Sequence, residues 1–216
     1  MNEVFNNVVN KQGKFYTVNL DPGNKVYGEG LIKEDKELRS WDPNRSKLAA
    51  ALKKDLGNFP LEKGTKVLYL GAAQGTTPSH ISDIIEEEGI AYLVEFSERA
   101  VRDLLKVCER RSNMVPVLAD ARKPEQYDWV EKVDVVYQDV AQPDQVEILK
   151  RNAKEFLKKK GWIMLAVKAR ATDVTEDPES IYEDVKSNLR EDFEIKEFLR
   201  LDPFEDDHCF IVAQKS

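Results

Sequence analysis

The chain has 216 residues, 41% of them hydrophobic and 34% charged, with a formal net charge of −7. That size and apolar content suit one full-sized domain with a small appendage and exclude a disordered chain. The acidic balance argues against a free-standing nucleic-acid binder, so an RNA substrate would need a local basic patch or a partner protein. Cys108 and Cys209 lie far apart and form no CxxC pair, so neither zinc nor a disulfide framework is expected. No run approaches the ~20 apolar residues that span a bilayer, and the opening MNEVFNNVVNKQGKF has no signal-peptide layout, which predicts a soluble, cytoplasmic protein.

Residues 1–55 read as a small β-rich region and residues 56–216 as the main domain. Strands are predicted over 15–18, 25–27 and 31–32, with the Asp21-Pro22-Gly23-Asn24 turn between the first two. The aromatics Phe15, Tyr16, Tyr27 and Trp41 read as core of this small sheet. A helix over 45–56 follows, with Ser46 in its cap region and three alanines inside it. From Lys66 onward strands and helices alternate. Strands fall at 67–70, 91–94, 115–118, 133–137 and 162–167, and helices at 78–88, 98–110, 143–160 and 178–190. Segments 194–201 and 209–213 close the chain as a hairpin. This is an α/β pattern: a doubly wound, Rossmann-like sheet of seven strands, mostly parallel, with an antiparallel terminal hairpin. Ligands in such sheets bind beyond the carboxyl ends of the strands.

Those ends carry small and acidic residues. The first strand runs into Gly71-Ala72-Ala73-Gln74-Gly75-Thr76-Thr77, where Gly71 and Ala73 let backbone approach a ligand. Thr77 reads as the cap of the next helix, with Pro78 at its first position. The second strand ends in Glu95, suited to the ribose hydroxyls of an adenosine, with Phe96 placed to pack on the base. Asp120 follows the third strand and suits an adenine amino group, and Asp139 follows the fourth. Neither GxGxxG nor GK[ST] is present, so equipment for pyrophosphate is missing. A phosphate-free nucleoside cofactor, S-adenosylmethionine, fits such a loop set. No metal site is expected.

Six stretches carry a resemblance: WDPNRSKLAA from Trp41, LGAAQGTT from Leu70, VEFS from Val94, ADARKP from Ala119, DVAQPDQ from Asp139 and VKAR from Val167. Together they resemble the fibrillarin family, in its short archaeal branch, over essentially the whole chain. RSKLAAA and DVAQPDQ are specific to that family, whereas the glycine loop is generic. Gln74 stands where serine is expected, and the Gly/Arg-rich extension of eukaryotic members has no counterpart. The resemblance implies methyl transfer from S-adenosylmethionine to the ribose 2′-hydroxyl of rRNA and possibly tRNA. It implies a Lys-Asp-Lys-His set at Lys47, Asp139, Lys168 and His208. Cofactor contacts carry over to Thr76, Thr77, Glu95, Phe96, Asp120, Ala121, Asp139, Val140, Ala141 and Gln142. The implied partners are a Nop-family scaffold protein, a kink-turn-binding subunit resembling a ribosomal protein, and a box C/D guide RNA, which would choose the target nucleotide.

A ribose hydroxyl is a poor nucleophile, and Lys168 is the residue expected to take its proton as the new bond forms. Asp139 is expected to orient that lysine, and Lys47 to meet substrate phosphate or developing alkoxide. His80 reads as a packing or helix-surface residue. Two other readings stay open on the residues alone: a methyltransferase of proteins or small molecules on the same fold, and an inactive subunit of a ribonucleoprotein.

Overall fold

The computed structural model describes residues 2–172 and 176–216. Seven strands form the central sheet. They are β6 (Lys66–Leu70), β7 (Ile90–Glu95), β8 (Met114–Leu118), β9 (Val133–Gln138), β10 (Leu157–Lys168), β11 (Phe193–Arg200) and β12 (His208–Lys215). Their spatial order is β11-β12-β10-β9-β6-β7-β8. Strands β8, β7, β6, β9 and β10 run parallel, and β12 lies antiparallel between β10 and β11. The chain leaves β6 toward β7 and β8, then returns to place β9 on the other side of β6. The switch point of this doubly wound sheet therefore lies between β6 and β9.

The amino-terminal region holds a separate antiparallel sheet of β1 (Asn2–Phe5), β2 (Val8–Lys11), β3 (Lys14–Val18), β4 (Leu31–Lys33) and β5 (Glu37–Trp41), in the order β1-β2-β3-β5-β4. The expected strand at 25–27 does not form. The Val26 and Tyr27 amides both donate to the Glu29 carboxylate, at 3.0 and 2.8 Å, and so are lost to any ladder. Three strands, β1, β2 and β5, were not anticipated. Their short charged stretches give little apolar alternation to read.

Helix α1 (Lys47–Lys53) is shorter than the predicted 45–56 and is capped by Ser46, whose hydroxyl accepts from the Ala49 amide at 3.4 Å. Leu48 through Leu52 are all buried, so this helix is enclosed on nearly every side. Helix α2 (Thr76–Ile85) begins two residues earlier than predicted. Its cap is Gly75 in a left-handed conformation (φ +91°), with Thr77 and Pro78 inside the first turn. Pro78 is still tolerated there because the first four amides of a helix have no intrahelical partner. The next helix is α3 (Glu98–Cys108), and α4 (Gln145–Phe156) follows β9. The predicted helix over 143–160 thus stops at Phe156. Leu157 instead pairs with Val133 of β9 and is buried, which draws Lys158, Lys159 and Lys160 into β10 despite their helix propensity. A short helix α5 (Ala169–Thr172) and α6 (Pro178–Leu189) follow β10, and a single 3-10 turn covers Pro124–Tyr127 between β8 and β9.

Two cores flank the central sheet. One joins Val8, Phe15, Trp41, α1 and the inward face of α2 to Tyr69, Tyr137, Met164, Ala166 and Phe210. The other packs α4 and α6 against Leu68, Leu70, Ile163, Leu165, Val167 and Ile211. This period-two alternation along β10 settles which face each site residue occupies.

Candidate active site

A cavity of about 420 Å³ opens beyond the carboxyl ends of β6, β7, β8 and β9. Its size is in the range of roughly 300–1,000 Å³ typical of small-molecule sites. Gly71, Ala73, Glu95, Phe96, Asp120, Ala121, Asp139, Val140, Ala141 and Gln142 all line it. Thr76 and Thr77 do not. Thr76 lines a cleft on the other side of the glycine loop, and Thr77 is buried, donating its hydroxyl to Ser46 Oγ at 2.9 Å.

Gly71 is required where it stands. It holds φ +84°, and a Cβ there would lie 2.4 Å from the Asp139 carbonyl oxygen. Residues Gly71 and Ala72 both donate to the Val94 carbonyl, at 2.9 and 3.1 Å, and Asp139 donates to Leu70 at 2.9 Å. Backbone alone therefore brings the β6, β7 and β9 ends together. Glu95 accepts the Ala73 amide on one oxygen at 2.9 Å and the Ser97 amide on the other at 2.8 Å. Each oxygen keeps a lone pair for a ligand. Phe96 is 69% exposed at the rim, an open aromatic face beside that carboxylate.

Sequence reasoning missed four wall residues: Val94, Ala119, Arg122 and Ile148. Arg122 is the cation of the wall. Its guanidinium is spent on Asp144, in two bonds of 2.8 and 2.7 Å, and on Gln142 at 2.7 Å. That hydrogen-bonded pairing holds the Asp144 carboxyl below its usual range. The three lining carboxylates, Glu95, Asp120 and Asp139, thus face the cavity without an uncommitted cation among the described lining residues. Such a lining repels phosphate and favours a positively charged nucleoside. S-adenosylmethionine, a sulfonium without phosphate, fits this donor set.

The four residues of the predicted catalytic set share one face of the sheet. Tyr137 lies on the face covered by α1, so Asp139, two residues on, continues it. Ala166 and Phe210 are on that face too, which puts Lys168 and His208 on it. Lys168 and His208 stand directly opposite each other in the β10–β12 ladder. The Ala169 amide donates to the Asp207 carbonyl at 3.1 Å, so Lys168 and His208 form a non-hydrogen-bonded pair, the kind whose side chains approach more closely. His208 is buried, and its Nδ1 lies 2.7 Å from the Asp206 carbonyl oxygen, leaving Nε2 as the other ring nitrogen. From above, Lys47 in the first turn of α1 donates to Asp139 Oδ2 at 3.0 Å. Asp139 therefore belongs to two places at once: the cofactor cavity and the lysine-bearing face.

A larger cleft of about 580 Å³ lies at the opposite end of the strands, near the starts of β6, β9 and β10, lined by residues that include Lys63, Lys158, Lys159 and Lys160. None of the predicted site residues reaches it. Among the described residues no group of three or more His, Cys, Asp or Glu could hold a metal ion, and no helix is long and apolar enough to cross a membrane.

The model of the fibrillarin family matches residues 1–216. The chain belongs to the fibrillarin family. The fibrillarin-like rRNA/tRNA 2′-O-methyltransferase of Methanopyrus kandleri is 53% identical over 201 residues, covering 92% of this chain and 87% of that protein. Among solved structures, Aeropyrum pernix fibrillarin with natively bound S-adenosyl-L-methionine is similar at 47% identity and TM-score 0.87, covering 95% of this chain and 92% of that one. A fibrillarin/Nop5p complex is similar at 42% identity and TM-score 0.93, with both chains covered in full. The fibrillarin fold thus accounts for both the seven-stranded sheet and the amino-terminal antiparallel sheet.

Proposed function

We propose that this fibrillarin-family chain transfers methyl groups from S-adenosylmethionine to ribose 2′-hydroxyls of rRNA and tRNA. It would do so in the cytoplasm, within a particle that also holds a Nop-family scaffold, a kink-turn-binding subunit and a box C/D guide RNA. The observation that carries this reading is Asp139, which lines the cavity of about 420 Å³ while accepting from Lys47 at 3.0 Å on the face that carries Lys168 and His208. A carboxylate shared in this way joins a cofactor pocket to a place where an RNA hydroxyl can be received.

When bound, S-adenosylmethionine supplies an electrophilic methyl group whose departure leaves a neutral thioether. The residues named here do the rest. Glu95 would accept ribose hydroxyls, and Phe96 would stack on the adenine. Asp120 would receive the exocyclic amine. Asp139 favours positive charge in the cavity and fixes the Lys47 ammonium beside it. That ammonium would bind the nucleotide to be modified and stabilise negative charge developing on its oxygen. Lys168, with His208 next to it, offers the nitrogen that takes the hydroxyl proton. Holding the hydroxyl in line contributes a large share of the acceleration. The chain's net charge of −7 fits an enzyme whose RNA is held largely by partners.

The test is transfer of a tritiated methyl group to RNA paired with a box C/D guide, in the presence of the scaffold protein. Label in an alkali-resistant dinucleotide, which marks a blocked 2′-oxygen, is the expected result. Label on a base or on protein, or none on RNA, overturns the reading.

A further inference from the structure

Lys168 sits where its strand has outrun its neighbour. The β9–β10 ladder ends at the pair Gln138 and Leu165, three residues short of Lys168. On the other flank, Lys168 and His208 are a non-hydrogen-bonded pair, so the Lys168 N–H and C=O point away from β12, toward the side that β9 has already left. A strand end of this kind frays unless something else takes those two groups.

The Gln145 side chain is positioned to take them. It is the first residue of α4, 1% exposed, and absent from the cavity wall. Its Nε2 donates to the Lys168 carbonyl and its Oε1 accepts the Lys168 amide, each at 3.3 Å. A carboxamide is the side-chain copy of a peptide group, so it can replace a missing strand partner with both bonds at once. Gln145 is itself held, because its backbone carbonyl accepts Gln138 Nε2 at 2.6 Å. Gln138 is the last residue of β9 and immediately precedes Asp139. One chain of side-chain amides therefore ties the segment carrying Asp139 to the backbone that carries Lys168.

We propose that Gln145 is a positioning residue for the methyl-transfer reaction. Its carboxamide extends the sheet by one residue pair and fixes Lys168 relative to Asp139. The proposal rests on the reading of Lys168 as a reacting group. It assigns to the last residue of DVAQPDQ a task distinct from cofactor contact.

Gln145→Leu removes both bonds and leaves an apolar side chain of similar size. Guided methyl transfer should then fall on the order of 100-fold in kcat, as expected for a misplaced reacting group, with the cofactor Kd held within about twofold. Backbone hydrogen exchange at Lys168 should quicken in the same protein. Gln145→Glu supplies a second readout and carries the test alone if the leucine variant does not fold. A protonated carboxyl can donate and accept as the carboxamide does, whereas a carboxylate can only accept. The activity of Gln145→Glu relative to wild type should therefore rise as the pH falls. A kcat within about twofold of wild type in Gln145→Leu, or a pH-independent ratio in Gln145→Glu, overturns the proposal. Lys168→Ala separates the two levels. If it keeps its activity, the reading of Lys168 fails. If it loses activity while Gln145→Leu does not, only the positioning role fails.

Discussion

Two regions of this molecule gather charge, and they use it in opposite ways. Beneath the amino-terminal sheet, Arg39 is fully buried between Glu29 at 2.7 Å and Asp83 at 2.8 Å, and Arg111 meets Asp83 at 2.7 Å. Asp83 takes four bonds in all: the Leu20 amide and Arg111 on one oxygen, the Thr17 hydroxyl and Arg39 on the other. At the candidate active site, by contrast, Lys47 and Asp139 keep 20% and 24% of their side-chain surface exposed and share a single bond of 3.0 Å. Glu95 has used half of its acceptor capacity, on loop amides. The difference separates structural from chemical charge. A buried charge whose hydrogen bonds are all taken has nothing left for a ligand, whereas the site keeps unspent lone pairs facing a cavity.

The largest effect should come from breaking the buried seam. Asp83→Ala takes the carboxylate from Arg111 and leaves Arg39 only Glu29 of its two, and it is expected to cost about 3–5 kcal/mol in urea unfolding. A loss below about 1 kcal/mol, the scale of an exposed pair, would show the seam to be ornamental. The mirror-image change is Asp139→Asn or Lys168→Ala. Each should lower guided methyl transfer at least 100-fold, with unfolding free energy within about 1 kcal/mol of wild type. Equal losses of activity and stability would erase the contrast between the regions.

His80 sharpens the comparison through pH. It lies in the seam, stacked on Trp41 at 4.7 Å between ring centroids, with its nitrogens 2.8 Å from the Thr17 and Tyr27 hydroxyls. Burial, with Arg39 and Arg111 nearby, holds it well below the usual histidine value of 6.5. The unfolded chain takes up a proton near that value and the folded chain does not. This contribution to stability is therefore complete above about pH 6.5 and is lost below it, by up to about 1.4 kcal/mol per pH unit. Unfolding at pH 7.5, 6.5 and 5.5 should show a shallower acid loss in His80→Gln than in wild type; parallel curves would contradict this. The smallest effect is expected at Phe96. Because it is 69% exposed, Phe96→Ala should leave stability unchanged and weaken cofactor binding. The Kd should rise about tenfold or less, the worth of one stacked ring, as read by calorimetry.

These two regions also differ in how far the sequence revealed them. The central strands were legible because β6, β7 and β9 are nearly unbroken apolar runs. The cavity was legible for the same reason: strand tips follow from strand positions, and Glu95 and Asp139 sit at or just past theirs. The seam was not legible. Ser79, Ser82 and Asp83 look like the wet face of an amphipathic α2, yet they are buried because the amino-terminal sheet brings Arg39 onto Ser79 and Asp83, and Arg111 and Asn113 close over Ser82. Only tertiary placement turns a polar helix face inward. Gln145 escaped notice for a related reason, since a ladder that stops short at Leu165 cannot be read from β10 alone. Lys158–Lys160 misled in the other direction, because local propensity yielded to pairing with β9.

The most direct test is a crystal of this chain soaked with S-adenosylmethionine. The cofactor is expected in the cavity of about 420 Å³, with its ribose on Glu95, its adenine against Phe96 and its methyl group toward Asp139 and Lys47. Density for it in the lysine-rich cleft at the opposite end of the strands, or a methyl group turned away from the Lys47–Asp139 pair, would contradict the assignment.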